Sequence, residues 1–146
     1  MSQDVSWTNG ACHCRNVRFR VRLTDGLHTA RRCSCSYCRM RGAVAVSADL
    51  AGLHVVAGAE HLTPYQFNTM AAKHWFCSNC GICTHHQRRS NPNQFGVNVA
   101  CLEGVSPFDF LEVPVNDGVN HPSDAMAEPQ LAGVLRFAPA RTSDVP

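Results

Sequence analysis

Nine cysteines in 146 residues fall mostly into three tight groups, and that grouping constrains the chain more than any other feature. Cys12-His13-Cys14 comes first, Cys33-Ser34-Cys35-Ser36-Tyr37-Cys38 second and Cys77-Ser78-Asn79-Cys80 third, with Cys83 and Cys101 standing apart. Cysteine makes up about 6% of the chain, below the ~8–10% that marks a small disulfide scaffold. The N-terminal segment MSQDVSWTNG is polar and has neither the basic nor the apolar part of a secretory signal. A cytoplasmic, reducing setting is therefore expected, in which such cysteines hold metal before they form disulfides.

Zinc takes four soft ligands at about 2.3 Å in a tetrahedron, so two cysteine pairs that meet in space make one structural site. Cys77-x-x-Cys80 followed by Gly81 is such a half-site, because glycine permits the turn that points backbone amides at the sulfurs. Cys12-x-Cys14 is less usual. In an extended strand its Cβ atoms share a face about two ~3.3 Å steps apart, and only a bend brings both sulfurs onto one ion. A disulfide within it would be strained. A site joining the first group to the third would tie the chain's beginning to its middle and contribute folding energy outright. The middle group supplies three sulfurs, Cys33, Cys35 and Cys38. Three protein ligands with an open fourth position is the arrangement of catalytic zinc, whereas closure by Cys83, Cys101 or a histidine makes an inert site. Spacing leaves both open, and equally allows the middle group to pair with Cys77 and Cys80.

The periodicity is that of strands. Val17, Phe19, Val21 and Leu23 alternate with Arg18, Arg20 and Arg22, which predicts an antiparallel strand with one buried face. Ala43–Ser47, Leu53–Ala57, Tyr65–Asn68, Lys73–Phe76 and Phe95–Cys101 are further short strands, punctuated by Gly, Pro or Asn. No window carries apolar residues at helical spacing, and a helical turn is expected only near Pro107–Leu111, where Ser106 can cap and Pro107 can open the turn. The class is mainly β. Residues 1–9 read as an N-terminal extension, 10–137 as a single domain and 138–146 as a loose tail. Within the domain, residues 103–137 form an acidic, proline-containing segment expected to wrap the rest, with a last apolar stretch at Leu131–Phe137.

Apolar residues make up 45% of the chain and charged residues 16%, which excludes a disordered tail, and no apolar run approaches the ~20 residues of a membrane span. Eight of the 13 basic residues lie between Arg15 and Arg41. No aromatic stacking pattern accompanies them, so they read as partial neutralisation of electron-rich metal centres rather than a nucleic-acid surface.

Gly10-Ala11-Cys12-His13-Cys14, Cys33-Ser34-Cys35-Ser36-Tyr37-Cys38-Arg39 with Gly42-Ala43, and Phe76-Cys77-Ser78-Asn79-Cys80-Gly81 together resemble the ordered signature of the glutathione-dependent formaldehyde-activating enzyme family. The resemblance covers roughly residues 8 to 105. It implies small antiparallel sheets organised around two zinc ions, the β-tent arrangement. It also implies a structural zinc on Cys12, Cys14, Cys77 and Cys80, and a second, catalytic zinc on Cys33, Cys35 and Cys38. The implied activity is carbon–sulfur lyase chemistry that joins glutathione to formaldehyde as S-(hydroxymethyl)glutathione. Small-molecule thiol and aldehyde are then the partners, with no nucleic acid or membrane. Arg15 departs from the pattern, standing where the family commonly has glycine, and Cys83 is not part of the signature.

Two other functions fit the same cysteines: a binding module in which both metals are structural, and a thiol redox sensor using Cys33, Cys35, Cys38 and Cys83. His85-His86-Gln87-Arg88-Arg89 has two readings. Its arginines could fork onto a carboxylate with a histidine near the metal, or the segment is a solvated hairpin turning at Asn91-Pro92-Asn93. His74 and His121 read as ordinary polar residues, Cys101 as a buried thiol, and Tyr65, Phe67, Trp75 and Phe76 as core.

Overall fold

A computed structural model describes residues 6–120, 128 and 130–145. His121, Pro122 and Pro129, read from the sequence as part of the wrapping segment, lie outside the described residues. The alternation between Val17 and Leu23 forms β2 (Arg18–Leu23), in which Phe19 and Val21 are buried and the three arginines face solvent. In chain order the other elements are β1 (Thr8–Ala11), β3 (Arg32–Cys33), α1 (Ser36–Arg41), β4 (Ala45–Ala57), β5 (Leu62–Tyr65), β6 (Lys73–Cys77), β7 (Cys83–Gln87), β8 (Gln94–Asn98), β9 (Glu112–Asn116) and β10 (Leu131–Arg136). The protein is mainly β. A seven-stranded antiparallel sheet runs β1-β2-β4-β8-β7-β6-β5, and a three-stranded sheet runs β10-β9-β3. In the smaller sheet β3 and β9 run parallel.

The two expected strands Ala43–Ser47 and Leu53–Ala57 are one long strand, β4, and this strand shapes the domain. Its first five residues pair with β8, and the stretch from Ala48 to Ala57 pairs with β2. Between Val21↔Leu53 and Leu23↔Ala48 the register slips, so the residues around Asp49–Gly52 bulge. A bulge of this kind bends and twists a strand. Gly52 lies at the bend, where a Cβ would come within 2.8 Å of the Arg22 carbonyl oxygen.

Inside the bend sits the core of Phe19, Val21, Val46, Ala48, Leu53, Val97, Val99 and Leu102. Burial of each large apolar side chain contributes about 1.5–3 kcal/mol. Gly10 leaves the space that the Phe19 ring fills, since a Cβ there would fall 2.4 Å from that ring. Hence the glycine before the first cysteine group is a packing requirement.

Other expectations shift for local reasons. The strand expected over Phe95–Cys101 stops at Asn98, whose side-chain oxygen accepts from the Ala100 N–H at 3.1 Å and turns Val99–Cys101 into a 3-10 turn. The strand placed at Tyr65–Asn68 lies earlier, at Leu62–Tyr65. His85–Gln87 belongs to β7, which pairs antiparallel with β8, so the hairpin turns at Asn91-Pro92-Asn93 as expected, but His85 is buried in it rather than solvated. The helix α1 is too short to show apolar periodicity. It is set instead by its ends, with Cys35 as N-cap and Gly42 in the left-handed region at φ 72°. The turn expected near Pro107 is a 3-10 turn at Pro107–Asp109 with a capping box from Ser106 and Asp109. Among the described residues no helix is long and apolar enough to cross a membrane.

Candidate metal centres

The first centre closes the sheet on itself. Cys12 and Cys14 sit in the loop entering β2, while Cys77 ends β6 and Cys80 lies in the turn to β7. In a flat sheet, the four ladder steps from β2 to β6 would span about 19 Å. Yet the sulfurs of Cys12, Cys14, Cys77 and Cys80 all lie within 4.8 Å of one another. The bend in β4 makes that meeting possible.

Two sulfur pairs give the spacing, 3.6 Å for Cys12–Cys14 and 3.7 Å for Cys14–Cys77. The edge of a zinc–thiolate tetrahedron is about 3.8 Å, so the donors fit such an ion. The loops are shaped for it. The Val17 N–H donates to the Cys12 sulfur at 3.3 Å, and the Gly81 N–H closes a turn on the Cys77 carbonyl at 2.7 Å. Gly81 has φ 79°, and Arg15 occupies the same left-handed region at φ 65°. A position in that region favours glycine for a steric reason, and arginine at position 15 is strained by about 1–2 kcal/mol.

The second centre is local. Cys33 ends β3, Cys35 caps α1, and Cys38 lies buried one turn in. The Cys35 N–H donates to the Cys33 sulfur at 3.5 Å and the Cys38 N–H to the Cys35 sulfur at 3.3 Å. These three sulfurs also lie within 4.8 Å of one another, and among the described residues no fourth ligand atom joins them. Crowding splits their ionisation. The Cys33 and then the Cys38 thiols drive Cys35 down to about 2, and the same kind of contact, from Cys33 and then Cys35, pushes Cys38 up. Sulfurs packed this closely cannot all ionise without a cation between them, so the donor set fits a metal.

Sequence reasoning missed two residues here. Gly118 covers the second centre, for a Cβ would fall 2.3 Å from the Cys33 sulfur, and its N–H donates to Ser34 Oγ at 3.1 Å. The Ser34 N–H in turn donates to the Asn116 carbonyl at 3.0 Å, so the β3–β9 pairing brings residue 118 to the second centre. Arg41 follows Cys38 by three residues on α1. Its Nη2 donates to the Cys38 sulfur at 3.3 Å, while Nη1 lies 3.0 Å from His74 Nδ1 and 3.9 Å from the Cys83 sulfur. That i,i+3 spacing is a signal only once α1 is recognised.

Beside this centre opens a cavity of about 700 Å³, lined by Cys33, Cys35, Cys38 and Arg41 together with His74, His86, Phe67 and Arg88. That volume suits a small ligand. Strand alternation separates the neighbouring histidines. His86 lines the cavity, its ring filling space that a Cβ on Gly96 would block at 2.2 Å. His85 faces the other way, stacked on Trp75 at 4.8 Å and edge-on to Phe95. His74, read as an ordinary polar residue, is buried and lines the cavity. Burial first and then the Arg41 charge lower its pKa to about 4. Cys83 is outside both sulfur groups, with burial raising its pKa, and Cys101 is a buried thiol pushed up to about 12.

A bent β domain with two cysteine centres that could hold metal, one of four sulfurs and one of three, is the class this geometry defines. Comparison with known proteins supplies the family. The model of the glutathione-dependent formaldehyde-activating enzyme family matches residues 7–110, and the chain belongs to that family. A Halomonas elongata protein with the provisional name glutathione-dependent formaldehyde-activating enzyme is 40% identical over 80 residues, covering 49% of this chain and 50% of its own. The chain therefore spans about half the length of that curated relative. A crystal structure of a Rhodobacter sphaeroides protein is 62% identical, covers 73% of this chain and 98% of its own, and superposes with a TM-score of 0.72.

Proposed function

We propose that the chain is a zinc-dependent enzyme of the carbon–sulfur lyase type, joining a thiol such as glutathione to a small aldehyde such as formaldehyde. On this reading Cys12, Cys14, Cys77 and Cys80 hold a structural zinc, and Cys33, Cys35 and Cys38 hold the second, working zinc. The observation that carries the reading is the contrast between four clustered sulfurs, enough to fill a zinc tetrahedron, and three that leave one position to the cavity beside them. A zinc ion at the second centre supplies a positive seat that lowers the pKa of a bound thiol or polarises an aldehyde oxygen.

The chain's residues set the rest. Cys35 is fixed by capping α1, Gly118 packs its backbone against Cys33 with no side chain to displace the sulfur, and Arg41 draws charge from Cys38 through its hydrogen bond. In the reaction the thiol adds across the carbonyl. A carbon–sulfur bond forms, the carbonyl π pair moves to oxygen, and the thiol proton ends on that oxygen, so no oxidant or reductant enters. All nine cysteines are free, which suits a reducing compartment such as the cytoplasm.

The test is exchange NMR on glutathione and formaldehyde with the zinc-loaded chain. Exchange between free and hydroxymethylated thiol is expected to accelerate at least about 100-fold, the scale of positioned acid–base and metal effects. Cys35→Ser is expected to abolish the acceleration. Exchange no faster than without protein would overturn the reading.

A further inference from the structure

The Arg41 guanidinium fixes where a neighbouring imidazole keeps its proton. A guanidinium only donates, so His74 Nδ1, 3.0 Å from Arg41 Nη1, must accept. Burial and then the Arg41 charge lower the His74 pKa to about 4, and the ring is neutral at ordinary pH. A neutral imidazole carries one proton, which with Nδ1 accepting sits on Nε2.

The ring is also held in place. Tyr37, His86 and Phe67 pack around it with ring centroids at 4.4, 5.1 and 5.9 Å. Among the described residues Nε2 has no hydrogen-bond partner, yet the buried side-chain nitrogens left without one are Arg31 Nη2 and Arg41 Nε. Its N–H is thus reached from the cavity that His74 lines. His86 is the rival, but its Nδ1 lies 3.5 Å from Nη1, at the limit of a hydrogen bond, and its Nε2 is packed beside Gly96.

Arg41 ties this imidazole to the second centre, because its Nη2 donates to the Cys38 sulfur at 3.3 Å. One rigid fork therefore sets the spacing between the sulfurs and the ring. Addition to a carbonyl builds negative charge on oxygen, and a preorganised neutral N–H at that oxygen stabilises it.

We propose that His74 is the hydrogen-bond donor to the aldehyde oxygen through Nε2–H, with Arg41 as its positioning residue. The proposal rests on the thiol–aldehyde reading above and deepens it. As sulfur bonds to the carbonyl carbon, the π pair moves to oxygen, which accepts from Nε2–H. The imidazole keeps its proton, and water carries the thiol proton to that oxygen.

The experiment compares two amides. Glutamine brings its amide N–H near the place of Nε2, whereas the asparagine amide reaches only the place of Nδ1 and replaces the acceptor for Arg41. In exchange NMR with glutathione and formaldehyde, His74→Asn is expected to slow exchange about 100-fold, the loss of one oxyanion donor, and His74→Gln to stay within about tenfold of the unsubstituted zinc-loaded chain. Both should keep its zinc content by elemental analysis and its glutathione affinity by calorimetry. Nitrogen NMR of the unsubstituted chain should show His74, assigned by its loss in either variant, protonated at Nε2. Equal activity of the two variants, His74→Asn outperforming His74→Gln, or a proton on Nδ1 would overturn His74 as the donor. Exchange by the unsubstituted chain no faster than without protein would overturn the thiol–aldehyde reading, and the donor role with it.

Discussion

The two cysteine centres are built by opposite strategies. The first draws its sulfurs from loops 63 residues apart, Cys14 and Cys77 being only 3.7 Å apart at their sulfurs, and it fastens one end of a bent sheet to the other. The second takes three sulfurs from six residues around one short helix and fastens little beyond the β3–β9 pairing. A long-range closure contributes to folding, since an ion that binds only the folded arrangement adds its binding energy to stability. A local cluster can leave a position free without loosening the domain. On the proposed reading, the difference separates scaffold from reactivity within one ligand type.

Several substitutions would break or sharpen that contrast. Cys77→Ser, at a fully buried sulfur of the first centre, is expected to cost about 5 kcal/mol or more and to leave the domain unfolded at ambient temperature, followed by circular dichroism. Cys35→Ser is expected to keep the fold while elemental analysis finds one zinc fewer per chain. Equal damage from both would erase the distinction.

The next effect concerns the core that holds the centres in place. Burial lowers the His85 pKa to about 4, against an ordinary 6.5. A histidine kept neutral in the folded state favours the fold fully above pH 6.5. That stability falls as pH drops from 6.5 towards 4, because the unfolded chain takes up the proton first. The loss across the window is about 3 kcal/mol. His85→Phe should reduce this slope in urea melts without abolishing it, because burial also lowers His74 and His86, whereas an unchanged slope would remove His85 from the account.

Gly118→Ala places a Cβ 2.3 Å from the Cys33 sulfur. It is expected to weaken zinc at the second centre about tenfold in chelator competition, within the range for outer contacts of metal sites, and to leave the first centre unchanged. The smallest effect is a gain. Arg15→Gly relieves the left-handed backbone beside Cys14 and should stabilise the domain by roughly 1 kcal/mol, read as a higher urea midpoint.

Much of this was legible in the residue order. The Val17–Leu23 alternation specified β2 and its buried face, because a period of two can serve only a strand with one wet side. The grouped cysteines announced clusters that could hold metal, since a thiol's affinity for soft ions is a property of the side chain and needs no fold to be read. The turn at Pro107–Asp109 was legible because capping is local chemistry.

Tertiary structure alone decided which groups met. Spacing allowed the middle cysteines to join the third group, and the bend of β4 at Asp49–Gly52 brought the first group there instead. It also set Gly118 against Cys33 and turned His86, rather than His85, towards the cavity. Those outcomes depend on strand pairing between distant segments and on which face a strand presents to its neighbours. A residue's own chemistry is written at its position, but its company is fixed only when the sheet closes.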